Sequence, residues 1–339
     1  MEEKRIILDA KGVNKYFPIT SSFLKRHVGD VYAVDNVDVY VREGETLGIV
    51  GESGCGKTTL GRTILRAIQP TEGVCNFVNR NGQTVDVFKL DSKGLREARR
   101  DMQMIFQDPY ASLNPRMIIK DIIGEPLKYN SDMTPAQITD RVKELLSLVG
   151  LNPRHLERYP HAFSGGQRQR VGIARALATT PRFVVCDEAV SALDVSVQAQ
   201  VINLLQKLQE QLNLSYMFIS HDLSVIQHIS DRVGVMYVGK MVELATSEEI
   251  FRRPLHPYTE ALLSAKPIAD PRIKRQKIML EGETPNPANP PSGCYFHPRC
   301  RYCTDICKEQ RPEYRELEPG HFVACHRADE LQLEGVMRV

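Results

Sequence analysis

The sequence lacks the long apolar run and the strong charge imbalance of membrane-spanning and nucleic-acid-binding chains. No stretch approaches the roughly 18–20 apolar residues that a transmembrane helix needs. The opening residues, 1–7, have neither the basic region nor the apolar core of a signal peptide. The 44 basic and 42 acidic residues give a net charge of +2, and no basic stripe interleaved with aromatic residues accompanies them. We therefore expect a cytosolic protein, with any membrane role exerted through a partner.

The composition is that of a soluble globular protein. The chain has 339 residues, 42% hydrophobic and 25% charged, which is enough for one large domain with an appendage or for two domains. Three cysteines, Cys55, Cys75 and Cys186, are scattered, whereas the other five crowd into residues 294–325. In a reducing cytosol this clustering favours metal binding over disulfides.

Residues 51–58 read Gly-Glu-Ser-Gly-Cys-Gly-Lys-Thr, the spacing of a phosphate-binding P-loop. The glycines that let the backbone N–H groups turn toward phosphate oxygens are Gly51, Gly54 and Gly56. Lys57 adds a positive charge for the β- and γ-phosphates, and the Thr58 hydroxyl is a ligand for Mg²⁺. The apolar stretch 46–50 predicts a strand entering the loop, and apolar residues at helical spacing predict a helix leaving it. The pattern predicts nucleotide binding.

A second motif, Phe183-Val-Val-Cys-Asp-Glu188, is an apolar strand that ends in two acids, as a Walker B strand does. Asp187 would hold Mg²⁺, directly or through water, and Glu188 would polarise the attacking water. On its own the pattern also fits a strand that ends in solvated acids. The P-loop in the same chain favours the catalytic interpretation.

A third motif, Ser164-Gly165-Gly166-Gln167, precedes an apolar-periodic helix. Backbone N–H groups at that helix N-terminus would form a second anion site. A generic P-loop kinase or GTPase has no use for a second cradle. The combination resembles the ATP-binding cassette (ABC) transporter ATPases, whose defining sequence is Leu-Ser-Gly-Gly-Gln. Here Phe163 stands where that leucine is usual.

The resemblance implies roles for further residues. Gln107 matches the Q-loop glutamine, which contacts Mg²⁺ or water and senses the transmembrane partner. Asp194 closes a D-loop at 191–194 that crosses between two ATPases, and His221 matches the switch histidine. Ala189 replaces a usual proline after the catalytic glutamate, with no functional atom lost. The implied catalytic set is Lys57, Gln107, Glu188 and His221.

The resemblance also implies a set of cofactor contacts. Phe17 is the first choice for stacking on adenine, with Tyr16 and Tyr32 as rivals and a core role as the alternative. The implied nucleotide contacts are Phe17, Gly51, Ser53, Gly54, Cys55, Gly56, Lys57, Thr58, Thr59, Gln107, Ser164, Gly165, Gly166, Gln167, Asp194 and His221. The implied Mg²⁺ contacts are Thr58, Gln107 and Asp187.

Three segments are similar to the oligopeptide/dipeptide importer ATPases. They are the run 107–116, the His256-Pro257-Tyr258-Thr259 motif and the proline-rich run 284–292 that leads into Gly293-Cys294. Residues 190–200 resemble the dipeptide F-type subunit. This resemblance implies a peripheral subunit on the cytoplasmic face of the inner membrane. Its expected partners are a second, non-identical ATPase, two permeases and an extracytoplasmic substrate-binding protein.

Other functions stay open at this stage. The same type of ATPase subunit powers nickel or oligosaccharide uptake in related importers, and some ABC ATPases act without a transporter. A single cassette with near-neutral charge argues against an ATPase that works on nucleic acid or ribosomes. The presence of both Glu188 and His221 argues against a regulatory subunit that does not hydrolyse ATP.

The C-terminal cysteines allow three interpretations: free structural thiols, a Zn²⁺ site that enlists His297 or His326, and an iron–sulfur cluster. The resemblance to relatives that bind [4Fe–4S] through four cysteines selects one set and leaves Cys303 as an extra. That set is Cys294, Cys300, Cys307 and Cys325.

Together these observations predict an α/β fold. Strand–helix alternation implies a parallel sheet covered on both faces. The resemblance implies a P-loop NTPase (RecA-like) core with an N-terminal antiparallel β subdomain, a helical insertion at about 108–163 and a small Cys-rich C-terminal extension. We predict an ATPase domain at 1–251 and the extension at 252–339. Two ATPases would pack head to tail, with ATP between the P-loop of one and the Ser164 turn of the other.

Overall fold

The computed structural model describes residues 4–21, 26–266 and 278–336. In these ranges the strands are β1 Ile6–Thr20, β2 His27–Arg42, β3 Thr46–Val50, β4 Glu72–Val78, β5 Thr84–Asp86, β6 Met102–Ile105, β7 Phe183–Asp187, β8 Ser215–Ile219, β9 Arg232–Tyr237, β10 Lys240–Thr246, β11 Arg315–Glu318 and β12 His321–Val323. The α-helices there are α1 Lys57–Ile64, α2 Ser92–Asp101, α3 Ile119–Asn130, α4 Pro135–Leu148, α5 Gly165–Ala176, α6 Val195–Leu212, α7 Leu223–Ile229, α8 Ser247–Arg252, α9 Pro257–Ser264 and α10 Asp305–Glu309. None of the described helices combines the length and the apolar character needed to span a bilayer.

The chain forms two compact units. The first comprises the described residues up to Leu8, then Tyr40–Glu45 and Asn76–Ile219. The second comprises Thr46–Cys75 together with the described residues of 9–39 and 220–339.

The first unit is built on three parallel strands in the order β8, β7, β6. All five residues of β7 are buried, which matches its nearly continuous apolar run, because a parallel strand is covered on both faces. In register, Cys186 lies between Ile105 and Phe218. This part of the parallel sheet is confirmed, and it places Asp187 and Glu188 at the carboxyl end of a central strand.

The segment between β6 and β7 is helical, as the sequence predicts. Thr134 caps α4 with a reciprocal capping box to Gln137, and Pro135 occupies the first turn. The helix ends at Leu148, and Gly150 follows with a φ of 72°. Helix α5 packs against α3, α4 and β6, so the helical insertion supports the helix that the Ser164 motif opens.

The sheet of the second unit is mixed, whereas the strand–helix alternation in the sequence predicts parallel strands. Its strands run in the order β11, β12, β10, β9, β3, and only β3 and β9 are parallel. The reversal occurs between β9 and β10, where Val238 and Gly239 have φ values of 42° and 77°. Two consecutive residues with positive φ are typical of the tight turn that closes an antiparallel hairpin.

The N-terminal strands are also observed. In the second unit β1 lies between β2 and β4, and in the first unit β4 pairs antiparallel with β5. Strands β1 and β2 are long, with 15 and 16 residues.

A buried carboxylate on β10 binds β12 and the segment before α9 within the second unit. Glu243 on β10 and His321 on β12 are both fully buried, and His321 Nε2 lies 2.8 Å from Glu243 Oε1. The same carboxylate accepts hydrogen bonds from the backbone N–H groups of Leu255 and His256, at 2.6 and 3.1 Å. One side chain thus satisfies three buried donors on two other segments.

We predict that Glu243→Ala lowers the free energy of unfolding by about 3–5 kcal/mol, because His321 and two buried N–H groups lose their acceptor. Urea denaturation measures the change. Glu248→Ala removes an exposed ion pair with Arg252 and is the control, with an expected change within about 0.5 kcal/mol. Equal changes for both variants would contradict the structural role of Glu243.

Candidate functional site

The phosphate loop lies in the second unit, between a buried strand and the start of a helix. All five residues of β3 are buried, and the loop turns directly into α1 at Lys57. Lys57 is itself buried, and its Nζ donates to the carbonyl oxygens of Gly51 and Glu52 at 2.8 and 2.9 Å. A buried ammonium held by backbone carbonyls is a fixed positive charge at a helix N-terminus, the arrangement that suits phosphate oxygens.

Two glycines of the loop have no room for a side chain. Gly56 has a φ of 102°, and a Cβ there would lie 2.0 Å from the carbonyl oxygen of Ala33. Gly51 has a φ of 153°, and its Cβ would lie 2.2 Å from the carbonyl oxygen of Met236. The glycine pattern of the P-loop is therefore a steric requirement here.

The other loop residues differ in exposure. Ser53 and Gly54 are exposed at the rim, and Thr58 and Thr59 are partly exposed in the first turn of α1. Cys55 is buried, and burial raises the pKa of its thiol. The rim residues can reach a ligand, whereas the Cys55 side chain serves packing, so only its backbone is available to a nucleotide.

The aromatic candidates separate by environment. The rings of Tyr16 and Tyr32 lie 4.8 Å apart, edge to face, and the Tyr16 hydroxyl contacts Asp35 at 3.2 Å. Burial raises the pKa of Tyr16 to about 12. Phe17 is exposed, and Lys15 Nζ lies 4.7 Å from the centre of its ring. Among the three candidates, Phe17 is the one whose ring is exposed in the described part of the chain. His221, also in this unit, is exposed just before Asp222, the N-cap of α7.

The first unit brings two predicted catalytic residues into contact. Gln107 Nε2 donates a hydrogen bond to Glu188 Oε2 at 2.7 Å, although the two residues are 81 positions apart. Glu188 adopts a φ of 46°, a left-handed conformation that costs a non-glycine residue about 1–3 kcal/mol. Its carbonyl accepts from the Ser191 hydroxyl at 3.0 Å. Strained backbone of this kind concentrates at functional sites.

The remaining acidic candidates differ in exposure. Asp187, the last residue of β7, is fully buried. Asp194 is exposed and caps α6, accepting from the Val197 N–H at 3.0 Å. Hydrogen bonds from Val197 and Ser196 hold the pKa of Asp194 below its usual value. Asp194 therefore stays ionised at neutral pH on the surface of its unit.

The Ser164 motif forms a capped helix start, also in the first unit. Ser164 and Gln167 make a reciprocal capping box, and Gly165 is the first residue of α5. A Cβ on Gly166 would lie 2.3 Å from Val197 Cγ1, so glycine is required there. Phe163, which replaces the family's usual leucine, is buried against His155. The departure from the family pattern therefore keeps its apolar anchoring role.

Four of the five clustered cysteines line one cavity in the second unit. Cys294, Cys300, Cys307 and Cys325 line it together with His297 and His326, whereas Cys303 is absent from its lining. The Cys294 N–H donates to the Cys307 carbonyl at 2.8 Å, so the backbone itself joins two of them. These are the four that the family resemblance selects.

The thiols of this cavity are poorly solvated. Burial raises the pKa of Cys294 to about 12, and those of Cys300 and Cys325 to about 11. Neighbouring cysteines contribute to all three increases in pKa, because each thiolate would repel the others. Such a set of sulfurs is chemically suited to a soft metal centre, whose positive charge offsets that repulsion.

Sequence reasoning missed three residues around the phosphate loop. The Glu52 carboxylate is bound by Arg299, and the Glu52 backbone N–H donates to the Tyr258 hydroxyl at 2.8 Å. Glu52 occupies a variable position of the P-loop pattern, and Arg299 lies among the cysteines. The His-Pro-Tyr-Thr motif at 256–259 was a usable signal, because it contains Tyr258.

We predict that Gly56→Ala weakens nucleotide binding at least tenfold, because its Cβ would displace the loop from Ala33. Titration with a fluorescent ATP analogue measures the affinity. Gly172→Ala is the control: it lies within α5 with open space around its Cβ, and it should leave affinity unchanged and stabilise the helix by up to about 1 kcal/mol. Unchanged affinity in Gly56→Ala would contradict the steric argument.

Comparison with known proteins supports this geometry. A family model described as "ABC transporter" matches residues 34–191, and one described as "Oligopeptide/dipeptide transporter, C-terminal region" matches residues 242–307. The structure resembles the dimeric post-hydrolysis structure of the ATP-binding cassette MJ0796 bound to ADP and Pi, with a TM-score of 0.61 and 28% identity, covering 71% of this chain and 98% of that one.

Two bacterial relatives are similar over most of the chain. The oligopeptide transport ATP-binding protein AppF of Bacillus subtilis (strain 168) is 57% identical over 323 residues, covering 94% of this chain and 97% of AppF. YkfD of the same organism is 55% identical over 302 residues, covering 87% of this chain and 89% of YkfD. The chain belongs to the ABC transporter family, among the ATP-binding subunits of oligopeptide transporters.

Proposed function

We propose that this chain is the ATP-hydrolysing subunit that powers import of oligopeptides or dipeptides across the cytoplasmic membrane. The observation that carries the proposal is the 57% identity to AppF over 94% of the chain. That similarity includes the oligopeptide-type C-terminal region, which distinguishes this branch from ABC ATPases in general. The dipeptide F-type assignment from residues 190–200 refines the same proposal.

The catalytic roles that we propose are those implied by the family resemblance, and the geometry within each unit supports them. Glu188 acts as the base that orients the attacking water, and its hydrogen bond to Gln107 fixes the carboxylate. Lys57 and His221 stabilise negative charge that develops on the phosphates. The family resemblance assigns Thr58, Gln107 and Asp187 as the Mg²⁺ contacts, and Mg²⁺ neutralises phosphate charge when bound. The buried ammonium of Lys57 and the exposed loop rim fit a nucleoside triphosphate.

We further propose that the working form is a head-to-tail pair of ATPases. The Ser164 turn and the D-loop residues Ser191, Ala192 and Asp194 are exposed or partly exposed, as contacts to another protomer require. The MJ0796 structure, which resembles this chain, is dimeric. The proposed partner ATPase is non-identical. The pair would dock on two permease subunits at the cytoplasmic face of the membrane, with a substrate-binding protein on the other side.

Glu188→Gln is predicted to lower ATP turnover by about 10²–10⁴-fold while ATP binding persists, because the amide cannot accept a proton from water. With saturating ATP and the partner ATPase present, the variant should accumulate as a dimer in size-exclusion chromatography. Glu210→Gln, on the exposed face of α6, is the control and should behave as wild type. A Glu188→Gln protein that stays monomeric and still hydrolyses ATP would show that Glu188 is not the base.

For the cysteine-lined cavity we propose a [4Fe–4S] cluster held by Cys294, Cys300, Cys307 and Cys325. A tetrahedral Zn²⁺ with Zn–S bonds near 2.3 Å needs sulfurs about 3.8 Å apart. Within the described ranges, the only three ligand atoms that lie within 4.8 Å of one another belong to Glu249, Glu318 and His321. No three of the described cysteine sulfurs lie that close together, whereas the four cysteines on this cavity are the number that a [4Fe–4S] cluster needs. The role that we propose for the cluster is structural.

Anaerobically purified protein is predicted to be brown and to contain about four iron atoms per chain. Cys300→Ser should lose the colour and the iron, whereas Cys303→Ser should keep both, because Cys303 does not line the cavity. Visible absorption and elemental analysis measure the two properties. Colourless wild-type protein without iron would eliminate the cluster, and zinc in its place would support the alternative site.

A further inference from the structure

One residue of the phosphate loop is held from three directions. The Glu52 carbonyl accepts from Lys57 Nζ at 2.9 Å, and the Glu52 N–H donates to the Tyr258 hydroxyl at 2.8 Å. Its carboxylate accepts from the Thr284 hydroxyl at 2.6 Å and from Arg299. Only the first of these contacts is made within the loop. The others come from residues more than 200 positions away, in the same unit.

The Arg299 contact is a two-pronged ion pair. One guanidinium nitrogen lies 2.9 Å from Glu52 Oε2 and the other 3.2 Å from Oε1. The Arg299 side chain is 8% exposed and that of Glu52 is 26% exposed. A bidentate arginine–carboxylate pair with this little solvent fixes distance and orientation together, which a surface pair does not.

The protonation state of Glu52 agrees with that geometry. Burial raises the pKa of Glu52, but hydrogen bonds from Arg299 and Thr284 outweigh this effect and hold the pKa below its usual value. The carboxylate is therefore ionised at neutral pH and the pair is complete.

Arg299 lies beside the cysteines in the chain. It ends the short 3₁₀ turn His297–Arg299, which lies between Cys294 and Cys300 and directly precedes Cys300. The Arg299 N–H donates to the carbonyl of Phe296, so the turn that begins at Cys294 sets the place of the guanidinium.

An aromatic cluster makes a second connection between the same two regions. The ring of Phe296, which lines the cysteine cavity, lies 5.2 Å from Tyr237 and 5.4 Å from Tyr258. Tyr258 is fully buried and accepts the hydrogen bond from the Glu52 backbone. Arg299 contacts Glu52 directly, and Phe296 contacts it through Tyr258, so both residues connect the cysteine-lined turn to Glu52. Lys57 Nζ in turn donates to the carbonyl oxygens of both Glu52 and Gly51.

We propose that Arg299 is a positioning residue of the nucleotide site, through which the cysteine-lined segment (residues 294–325) sets the affinity of the phosphate loop for ATP. The proposal rests on the ATP-binding role of the loop and not on which group the cysteines hold. It gives the C-terminal extension a task in the ATPase cycle. An intact cysteine cavity keeps Arg299 on Glu52, and a disrupted cavity releases the loop.

The test measures the dissociation constant of the full-length chain for a fluorescent ATP analogue with Mg²⁺. Arg299→Met and Glu52→Gln are each expected to weaken binding about tenfold, within the range of typical coupling between sites. The double variant should bind no more weakly than either single variant, because both remove one interaction. Arg299→Lys should bind ATP more tightly than Arg299→Met but more weakly than wild type, because lysine keeps the positive charge but cannot make the two-pronged contact.

Lys308→Met is the matched control. It breaks an exposed ion pair with Asp305 in the same segment, next to Cys307, without touching the phosphate loop. It should leave the dissociation constant unchanged. Thermal melting establishes that each variant is folded, and Glu52→Gln, which keeps side-chain volume, carries the test if Arg299→Met does not fold.

A second set of measurements tests the connection between the cysteines and the phosphate loop. Cys300→Ser should weaken binding about as much as Arg299→Met, and combining the two should add nothing. By reciprocity, nucleotide should slow alkylation of the cavity thiols in metal-free wild type and not in Arg299→Met. Wild-type affinity in folded Arg299→Met and Glu52→Gln, or fully additive losses, would overturn the proposal. A wild-type chain that binds no nucleotide would instead refute the ATPase function itself.

Discussion

Close approach of backbone to backbone is the constraint on which the nucleotide site depends. At Gly51 and Gly56 the loop passes so near to the carbonyls of Met236 and Ala33 that no side chain fits. This tight path turns the loop carbonyls onto the buried Lys57 ammonium and leaves the rim of the loop exposed. The buried strand β3 and the start of α1 hold the two ends. Phosphate binding is therefore a property of backbone path, supported by a single buried charge.

The proposed catalytic base, Glu188, has an unfavourable backbone conformation. Glu188 is in the left-handed region of backbone conformation, and hydrogen bonds from Gln107 and Ser191 stabilise it there. Gln107 lies in the connection between β6 and α3. A movement of α3 could therefore displace the Glu188 carboxylate through the hydrogen bond from Gln107. Such an arrangement suits an ATPase whose turnover depends on docking to other subunits.

Local signals in the sequence predicted the parts of the fold that local physics decides. The strand and helix around the P-loop, the helix that starts after Ser164 and the strand before Asp187 each depend on neighbouring residues, and each is observed. The antiparallel strand β10 depends on positive φ at Val238, which a β-branched residue rarely adopts, so the pattern gave no warning. The Glu52–Arg299 pair spans 247 positions and has no periodicity that could reveal it. Its nearest signal was the family-type run of prolines and cysteines around it.

In the proposed head-to-tail pair, this chain supplies only part of each nucleotide site: its phosphate loop binds one ATP and its Ser164 turn binds the other. A density map of the assembled importer with nucleotide bound tests this most directly. The account predicts that ATP on the Lys57 loop also contacts the equivalent Ser-Gly-Gly turn of the facing ATPase. ATP enclosed by one protomer alone, with the Ser164–Gly166 turn far from any triphosphate, would contradict it.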